Sequence, residues 1–216
     1  MGNHVSIKVC GITNIEDARL CVRAGVDALG VNFVPRSPRA ITWETAQAIV
    51  QSVGSDALVV GVVADVSTAD LWTLKETTGV GCLQLHGRES AEDLQLLLPH
   101  AYKAVAIAGP EDVETARSFP GDYLLVDAKD DHGGSGGTGK SFSWNLVTLL
   151  AKERRLTLAG GLTPENVGRA ILIVTPFGVD VASGVESPDE PRRKDERRIN
   201  AFVDAVRAAE TFTSRS

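Results

Sequence analysis

The amino-acid sequence predicts a single-domain (β/α)8 TIM barrel that spans residues 1–216. Short runs rich in β-branched residues recur at intervals of about 20 to 30 residues, and helical patterns lie between them. There are eight such runs and eight helical patterns, whereas a doubly wound sheet more often has about five or six strands. The chain is long enough for one hydrophobic core, and no linker divides it.

The predicted elements alternate along the whole chain. In order, the predicted strands cover residues 5–9, 28–33, 58–64, 80–85, 102–107, 123–127, 156–159 and 178–182. The helical patterns begin near Ile15, Trp43, Thr68, Glu89, Pro110, Ser143, Pro164 and Pro191. Proline fits the first turn of a helix, where its missing N–H costs no hydrogen bond, and three of these starts carry it.

The composition excludes several classes of protein. A formal net charge of −6 and a pI near 5.3 argue against nucleic acid as a partner, although a small anionic metabolite fits a local basic pocket. The chain has no apolar run long enough for a membrane span and no signal-peptide pattern at its start, so we expect a cytoplasmic protein without membrane contact. Cys10, Cys21 and Cys82 have neither metal-type spacing nor an even count, and we expect all three to be reduced.

The first strand ends in a candidate catalytic thiol. Alternation places Ser6, Lys8 and Cys10 on one face and the apolar pair Ile7 and Val9 on the other. Because the apolar pair must face the surrounding helices, Cys10 points into the barrel at the strand's C-terminal end, where barrel active sites lie. A lone strand-end cysteine is commonly a small buried hydrophobe, but this position makes Cys10 a candidate base, with Lys8 supplying positive potential.

Lys8 needs a counter-ion of its own. An inward-facing lysine low in a barrel is costly without a partner. The eighth strand becomes the neighbour of the first when the barrel closes, and it carries Asp180. We therefore predict a contact between Lys8 and Asp180, which separated or solvent-exposed head groups would refute.

The second and fourth strands are followed by candidate substrate-binding residues. Arg39 has a guanidinium fork suited to a substrate carboxylate, and an ordinary surface arginine is the alternative. Arg36, in the same loop, is interpreted as solvent-facing. His86 follows the fourth strand and either positions the substrate or makes a structural hydrogen bond.

The sixth strand ends in a candidate acid. Alternation points Tyr123, Leu125 and Asp127 inward, although an aspartate after a strand is usually a cap or turn residue. Here the Asp127 carboxyl group and the Cys10 thiol face one central substrate from roughly opposite strands. Two proton-transfer groups at strand ends indicate an isomerase. The glycine-rich segment 133–139 follows, and we interpret it as a mobile loop beside the site.

The loops after the seventh and eighth strands resemble phosphate cradles. Gly160 and Gly161 follow the seventh strand, and Ser183 and Gly184 follow the eighth. Glycines alone are compatible with ordinary tight turns. Barrels, however, often bind phosphate with these two loops, through bare backbone N–H groups and a helix N-terminus. The sequence therefore predicts a phosphorylated small-molecule substrate.

Taken together, these motifs resemble phosphoribosylanthranilate isomerase, a family of tryptophan biosynthesis, over nearly the whole chain. The motifs that carry the resemblance are KVCGIT at 8–13, SPR at 37–39, QLHG at 84–87, GGTGK at 136–140, AGGL at 159–162 and VDVASGVE at 179–186. The chain departs from the family pattern at 62–65, where VVAD replaces an aromatic residue followed by asparagine. The loop after Asp127 is also longer than the family's shortest forms.

The resemblance implies an Amadori rearrangement. N-(5-phospho-β-D-ribosyl)anthranilate would become 1-(2-carboxyphenylamino)-1-deoxy-D-ribulose 5-phosphate, without a metal or organic cofactor. The resemblance also implies roles for three residues. Cys10 corresponds to the family's general base, Asp127 to its general acid and Arg39 to its anthranilate-contacting arginine.

Two other functions compete with this interpretation. The histidine-pathway sugar isomerase runs the same rearrangement on a two-phosphate substrate, but that family is expected to carry an aspartate where Cys10 stands and needs a second phosphate cradle. A non-catalytic phosphate-ligand binder is the other alternative, which the presence of both Cys10 and Asp127 disfavours. We favour a monomer, because no helix face shows an apolar excess. The mixed charges at 189–198 are interpreted as a solvated surface without function.

Overall fold

The computed structural model describes residues 4–127, 142–190 and 192–213. Eight parallel strands form a closed barrel in which each strand pairs with the next and the eighth pairs with the first. This closed sheet with its surrounding helices confirms the predicted (β/α)8 barrel. The glycine-rich segment 133–139 and Pro191 lie outside the described residues.

The strands and helices alternate around the barrel. The strands are β1 (Ser6–Cys10), β2 (Ala28–Asn32), β3 (Leu58–Val63), β4 (Cys82–Leu85), β5 (Ala101–Ala106), β6 (Tyr123–Asp127), β7 (Arg155–Ala159) and β8 (Gly178–Val181). The helices are α1 (Ile15–Arg23), α2 (Trp43–Val53), α3 (Thr68–Thr78), α4 (Ala91–Leu97), α5 (Pro110–Ser118), α6 (Phe142–Leu146), α7 (Thr148–Glu153), α8 (Val167–Val174) and α9 (Glu196–Thr213). None of the helices in the described part of the chain is both long and apolar enough to cross a membrane.

Local hydrogen bonds explain where the helices begin. Helix α4 begins at Ala91 rather than at the predicted Glu89, because the Ser90 side chain accepts the backbone N–H of Asp93 and caps the helix. Likewise, the Asn166 side chain accepts the backbone N–H of Thr163 and delays α8. The prediction of a helix start near Pro164 was therefore wrong by about one turn.

Two other helix predictions also need correction. The single helix predicted near Ser143 is a pair of short helices, α6 and α7. The last helix begins at Glu196 and not near Pro191, because residues between β8 and α9 form bends and an isolated bridge between Glu186 and Lys194. This extended connection brings charged side chains back toward the barrel mouth.

The inside and outside of β1 follow the predicted alternation. Ile7 and Val9 are buried in the main hydrophobic core between the sheet and the helices. Lys8 lies inside the barrel, where its ammonium group donates to the Asp180 carboxylate at 2.8 Å. Lys8 and Asp180 are 5% and 7% exposed, and the two residues are direct neighbours in the register of β1 and β8. The predicted Lys8–Asp180 contact is confirmed.

The ion pair keeps Lys8 charged inside the barrel. Burial alone would lower the pKa of Lys8, but the Asp180 carboxylate, with smaller contributions from Cys10 and Tyr102, raises it above its ordinary range. A buried ion pair contributes little net stability compared with apolar residues of the same size. Removing one partner is different, because the other charge is then left unpaired in the interior.

Replacing Lys8 with methionine is expected to lower the free energy of unfolding by about 3–5 kcal/mol, because Asp180 loses its only cationic contact of hydrogen-bonding length among the described residues. Denaturation by urea at neutral pH measures this loss. The loss should shrink as the pH falls, since an unpaired buried carboxylate has a raised pKa in the folded state and takes up a proton there before it does in the unfolded chain.

Two variants serve as controls for this prediction. The exposed Lys152 on α7 gives a matched Lys152→Met change, which should leave stability almost unaltered. The double variant Lys8→Met, Asp180→Leu removes both charges and should recover most of the loss. A Lys8→Met protein as stable as wild type at neutral pH would contradict the expected effect.

Candidate active site

A cavity with a volume of about 590 Å³ opens at the C-terminal ends of the strands. Its walls come from the ends of β1 to β4 and β6 to β8 and from the loops that follow β2, β4, β7 and β8. The lining residues are Cys10, Asn32, Val34, Arg36, Ser37, Arg39, Val62, Gln84, His86, Leu125, Asp127, Ala159, Gly160, Gly161, Leu162, Asp180, Ala182 and Ser183. A cavity at this end of the barrel is where enzymes of this architecture bind their substrates.

Cys10 lines the cavity at the end of β1. Its neighbour in the register with β2 is Gly30, where a β-carbon would lie 2.7 Å from the Cys10 sulfur. The absence of a side chain at Gly30 therefore makes room for the thiol. Burial raises the pKa of the Cys10 thiol, while the positive charges of Lys8 and Lys194 oppose that rise.

Asp127 lines the same cavity at the end of β6, three strands away from β1 around the closed barrel. One carboxylate oxygen, Oδ1, is buried and has no hydrogen-bond partner among the described residues. A buried carboxylate oxygen normally has a partner, so this one is available to a substrate group in the cavity. Cys10 and Asp127 are thus brought to one cavity, as the strand phases predict.

A chain of hydrogen bonds orients His86. Its Nδ1 lies 3.2 Å from the amide nitrogen of Gln84, and the Gln84 carbonyl oxygen accepts a hydrogen bond from the Tyr102 hydroxyl at 3.0 Å. Gln84 and Tyr102 project into the barrel from β4 and β5, below His86. The ring of His86 therefore has both a structural partner and a place on the cavity wall, so the two interpretations of this residue are compatible.

The loop after β7 lines the cavity with bare backbone. Gly160 and Gly161 have φ values of +103° and +64°, a conformation that glycine adopts without strain. Asn166 closes the loop, because its side-chain amide donates to the carbonyl of Gly161 at 3.0 Å. Both glycines line the cavity.

The loop after β8 lies beside it. Ser183 lines the cavity at the start of a short 3-10 turn, Ser183–Val185. Gly184 lies behind the wall, where a β-carbon would come within 2.0 Å of the carbonyl oxygen of Leu162. Only glycine lets the loops after β7 and β8 approach this closely. The two predicted cradles therefore form one continuous surface.

Arg39 is held by Glu186, the last residue of the 179–186 motif, a contact that the sequence does not predict. Its Nε and one terminal nitrogen donate to the two carboxylate oxygens of Glu186 at 2.6 and 2.7 Å. The Arg39 side chain crosses over Gly11, where a β-carbon would lie 2.3 Å from Arg39 Cδ. The bidentate fork expected for a substrate carboxylate thus faces Glu186, and the remaining terminal nitrogen, Nη1, has no hydrogen bond to the described residues.

The charged segment before α9 is only partly solvated, which corrects its interpretation as a solvated surface. Arg193 donates to Glu16 and Asp17 on α1, and the Lys194 side chain is fully buried. Arg36, interpreted as solvent-facing, is exposed and also lines the cavity. These placements depend on contacts between residues far apart in sequence, which strand and helix patterns do not reveal.

The departure at 62–65 has two structural consequences. Val62 lines the cavity, so an aliphatic side chain forms part of the cavity wall. Asp65 has a φ of +56°, a left-handed conformation that asparagine and aspartate tolerate better than other residues. The Glu89 carboxylate accepts the backbone N–H of Asp65 at 2.8 Å and holds this loop.

The geometry defines a class of protein. A closed (β/α)8 barrel presents a thiol and a carboxylate to one cavity, next to glycine-containing loops after β7 and β8, and within the described ranges one oxygen of that carboxylate is unsatisfied. This combination is typical of barrel enzymes that perform proton transfer on a phosphorylated substrate.

Comparisons with known proteins identify the family. A family model described as N-(5'phosphoribosyl)anthranilate (PRA) isomerase matches residues 7–205. The chain is 42% identical to N-(5'-phosphoribosyl)anthranilate isomerase of Pseudomonas aeruginosa strain LESB58, covering 94% of this chain and 96% of the relative. It is 39% identical to the enzyme of the same name from Geobacter sp. strain M21, covering 91% and 95%. The chain therefore belongs to the phosphoribosylanthranilate isomerase family of tryptophan biosynthesis, and it is an isomerase.

Solved structures agree with this assignment. The phosphoribosyl anthranilate isomerase of Thermotoga maritima is 37% identical with a TM-score of 0.84, over 95% of this chain and 100% of the other. A structure of phosphoribosyl anthranilate isomerase in complex with reduced 1-(o-carboxyphenylamino)-1-deoxyribulose 5-phosphate is 34% identical with a TM-score of 0.83, with the same coverage. A third, described as mutually generated monomers of the dimeric Thermotoga maritima enzyme, has a TM-score of 0.82 at 34% identity, again over 95% and 100%. The resemblance seen in the motifs is confirmed, and the histidine-pathway alternative is set aside.

Proposed function

We propose that this enzyme converts N-(5'-phosphoribosyl)anthranilate to 1-(2-carboxyphenylamino)-1-deoxy-D-ribulose 5-phosphate, with Cys10 as general base and Asp127 as general acid. The observation that carries this proposal is the convergence on one cavity of the Cys10 thiol and of Asp127 Oδ1, an oxygen that has no hydrogen-bond partner among the described residues. Membership of the family supports the reaction. The reaction needs one group that gives a proton and one that removes a proton, and the Asp127 carboxyl group and the Cys10 thiol can do so, which supports their roles.

The reaction proceeds by two proton transfers. Asp127 gives its proton to the ribose ring oxygen as the bond from that oxygen to C1 breaks, and the nitrogen lone pair forms a protonated Schiff base with C1. The Cys10 thiolate then removes the proton from C2, and the C–H electron pair forms the C1–C2 double bond of an enolamine. Tautomerisation moves the C2 hydroxyl proton to C1 and leaves a ketone at C2. No electron leaves the substrate, so the reaction needs no redox cofactor, and Asp127 and Cys10 account for the proton transfers without a metal.

The other candidate residues bind the two ends of the substrate. Backbone N–H groups around Gly160, Gly161, Ser183 and Gly184 take the phosphate, because bare backbone and a short helical turn favour an anion. Arg39 takes the anthranilate carboxylate through Nη1, which makes no hydrogen bond to the described part of the chain. All of these residues belong to one chain, which supports a monomeric working unit. The free state of the described cysteines supports the reducing cytoplasm as its location.

An isomerase assay with the unstable substrate generated in situ tests the proposal. Anthranilate is released from the substrate by mild acid, because C1 carries both the ring oxygen and the anthranilate nitrogen and this N,O-acetal hydrolyses readily, whereas the rearranged product holds anthranilate through a stable amine. Enzyme-dependent growth of the acid-stable fraction is the expected result. If purified, folded protein leaves all anthranilate acid-releasable, the proposed reaction is wrong and a phosphate-ligand binder becomes the better description.

The rate should depend on pH through Cys10. Because burial raises the pKa of this thiol, most of it is protonated in the free enzyme at neutral pH, and the reactive thiolate becomes more abundant as the pH rises. We expect kcat/KM to increase from pH 6.5 to 8.5. The increase should be at most ~tenfold per pH unit, which is the limit when one proton is lost. A flat profile over this range would show that Cys10 does not lose a proton in the free enzyme.

A further inference from the structure

Lys194 is a buried cation next to the proposed active site. Its side chain is 0% exposed, and its ammonium group donates to Glu186 Oε1 at 3.2 Å and to the carbonyl oxygen of Ala182 at 3.0 Å. Ala182 lines the cavity directly before Ser183. Lys194 itself does not line the cavity, so the reaction proposed above assigns it no role.

The chain places Lys194 by a second buried contact. The backbone N–H of Lys194 donates to Asp17 Oδ2 at 3.0 Å, and Asp17 on α1 is fully buried. The bridge between Glu186 and Lys194 ties the two residues together through the backbone as well. The position of this lysine is thus fixed independently of its side-chain ion pair.

Glu186 lies between two cations. Arg39 binds both of its carboxylate oxygens, and Lys194 binds Oε1 from the other side. Burial alone would raise the pKa of Glu186, but the hydrogen bond from Arg39 and the charge of Lys194 outweigh burial and lower it. Glu186 is therefore an anion, and it binds Nε and one terminal nitrogen of Arg39, while Nη1 has no partner in the part of the chain that the structure describes.

Lys194 also lies near the thiol, because its ammonium group binds the carbonyl oxygen of Ala182, the residue after Val181, and Val181 pairs with Val9 directly before Cys10. Positive charge from Lys194 opposes the rise in the pKa of Cys10, and burial lowers the pKa of Lys194. Several charged or titratable groups influence Cys10 or line the cavity with it. They come from β1, β6 and β8, from the loops after β2 and β4 and from the segment before α9. These groups are Lys8, Asp127, Asp180, Arg36, Arg39, His86 and Lys194. Lys8 lowers the pKa of Cys10 more than Lys194 does, and both lysines are paired, Lys8 with Asp180 at 2.8 Å and Lys194 with Glu186 at 3.2 Å.

We propose that Glu186 and Lys194 are positioning residues of the isomerase: together they hold Arg39 with one corner open to the substrate carboxylate, and Lys194 places a fixed positive charge near the Cys10 thiol. This inference rests on the proposed function for its substrate and adds residues that touch neither the substrate nor the reacting atoms. It also explains why Lys194 is buried within an otherwise largely exposed charged segment ahead of α9, since a cation there serves two parts of the site at once.

The first experiment separates binding from turnover. Glu186→Gln keeps the shape but removes the charge that fixes Arg39, and it should raise KM about tenfold or more with a smaller change in kcat, the scale of one charge-assisted hydrogen bond. Lys194→Met should also raise KM. It should lower kcat/KM about 10- to 100-fold, the effect of a substrate contact that is held in the wrong place. Lys152→Met is the matched control and should behave as wild type.

The second experiment needs no substrate. The rate at which iodoacetamide alkylates Cys10 is followed from pH 6 to 9 by mass spectrometry of the Cys10 peptide, which separates it from Cys21 and Cys82. Lys194→Met should shift the pH profile to higher pH and slow alkylation several-fold at pH 7.5, because the thiolate loses a nearby positive charge. Lys194→Arg keeps the charge and should react more like wild type than Lys194→Met does.

These readouts distinguish the possible failures. Wild-type protein without isomerase activity would refute the proposed reaction, while the alkylation profiles would still decide the role of Lys194. If folded Lys194→Met, verified by thermal unfolding, keeps the wild-type alkylation profile and the wild-type KM, the positioning role is wrong. Should Lys194→Met fail to fold, Lys194→Gln and Glu186→Gln carry the same decision, and a wild-type KM in both would overturn the proposal.

Discussion

Replacing Cys10 with serine is expected to lower kcat at least about 10²-fold, the usual contribution of one general base. A serine hydroxyl has nearly the same shape as the thiol, so it fits the space that Gly30 leaves open. The hydroxyl does not ionise in the accessible pH range, however. The positive charges of Lys8 and Lys194 lower the pKa of a thiol, and a neutral hydroxyl gains nothing comparable from them. The variant should therefore bind substrate and fail to remove the C2 proton.

The measurement is steady-state turnover in the in situ assay, supported by thermal unfolding of each variant. Cys82→Ser is the matched control, because Cys82 begins β4 and does not line the cavity. We expect the control to keep near-normal turnover. Turnover within about threefold of wild type in Cys10→Ser would remove the thiol from the mechanism, since loss of a general base costs far more.

Strand phase explains how much of the site the sequence predicts. The alternation of β1 places Lys8 and Cys10 inward because Ile7 and Val9 must be buried against the helices, and the structure has both pairs where alternation puts them. The same reasoning brings Asp127 to the cavity. A parallel barrel also gathers the C-terminal ends of its strands at one mouth, so candidate residues far apart in sequence meet there.

Interactions between loops are not predictable in this way. Glu186 and Lys194 meet Arg39 only after the segment following β8 folds back toward the barrel mouth, and nothing in its local pattern of charges distinguishes a buried lysine from a solvated one. The same holds for Gln84, which Tyr102 orients from the neighbouring strand. Such contacts depend on tertiary geometry that neither strand nor helix periodicity encodes.

Helix starts show a similar division. The N-cap side chains of Asn14, Thr42 and Ser67 each accept a backbone N–H in the first turn, and the helices they cap begin at the predicted residues. Pro164 also suits a first helical turn, but the Asn166 side chain binds Thr163 and Gly161 and keeps this segment in a turn. The loop that results holds the proposed phosphate cradle, so here a site requirement overrides a local preference.

Replacing Asp127 with asparagine is expected to lower kcat at least about 10²-fold, since the amide has the shape of the carboxyl group but no acidic proton to give to the ribose ring oxygen. The buried Oδ1 has no hydrogen-bond partner among the described residues, so the substitution breaks no described contact at that atom. The barrel should fold normally. Ring opening without the acid then leaves an alkoxide, whose formation is the step that slows.

Binding and turnover together test this role. Reduced 1-(o-carboxyphenylamino)-1-deoxyribulose 5-phosphate, the ligand bound in a solved relative, should bind Asp127→Asn within about tenfold of wild type, because the substitution leaves the proposed phosphate and carboxylate contacts in place. Asp122→Asn is the matched control, since Asp122 is exposed just before the opposite end of the same strand. An Asp127→Asn enzyme that binds this ligand and turns over at the wild-type rate would show that the proton for ring opening comes from elsewhere. A variant that loses both would instead mark Asp127 as a binding residue, because the loss would then arise before the chemical step.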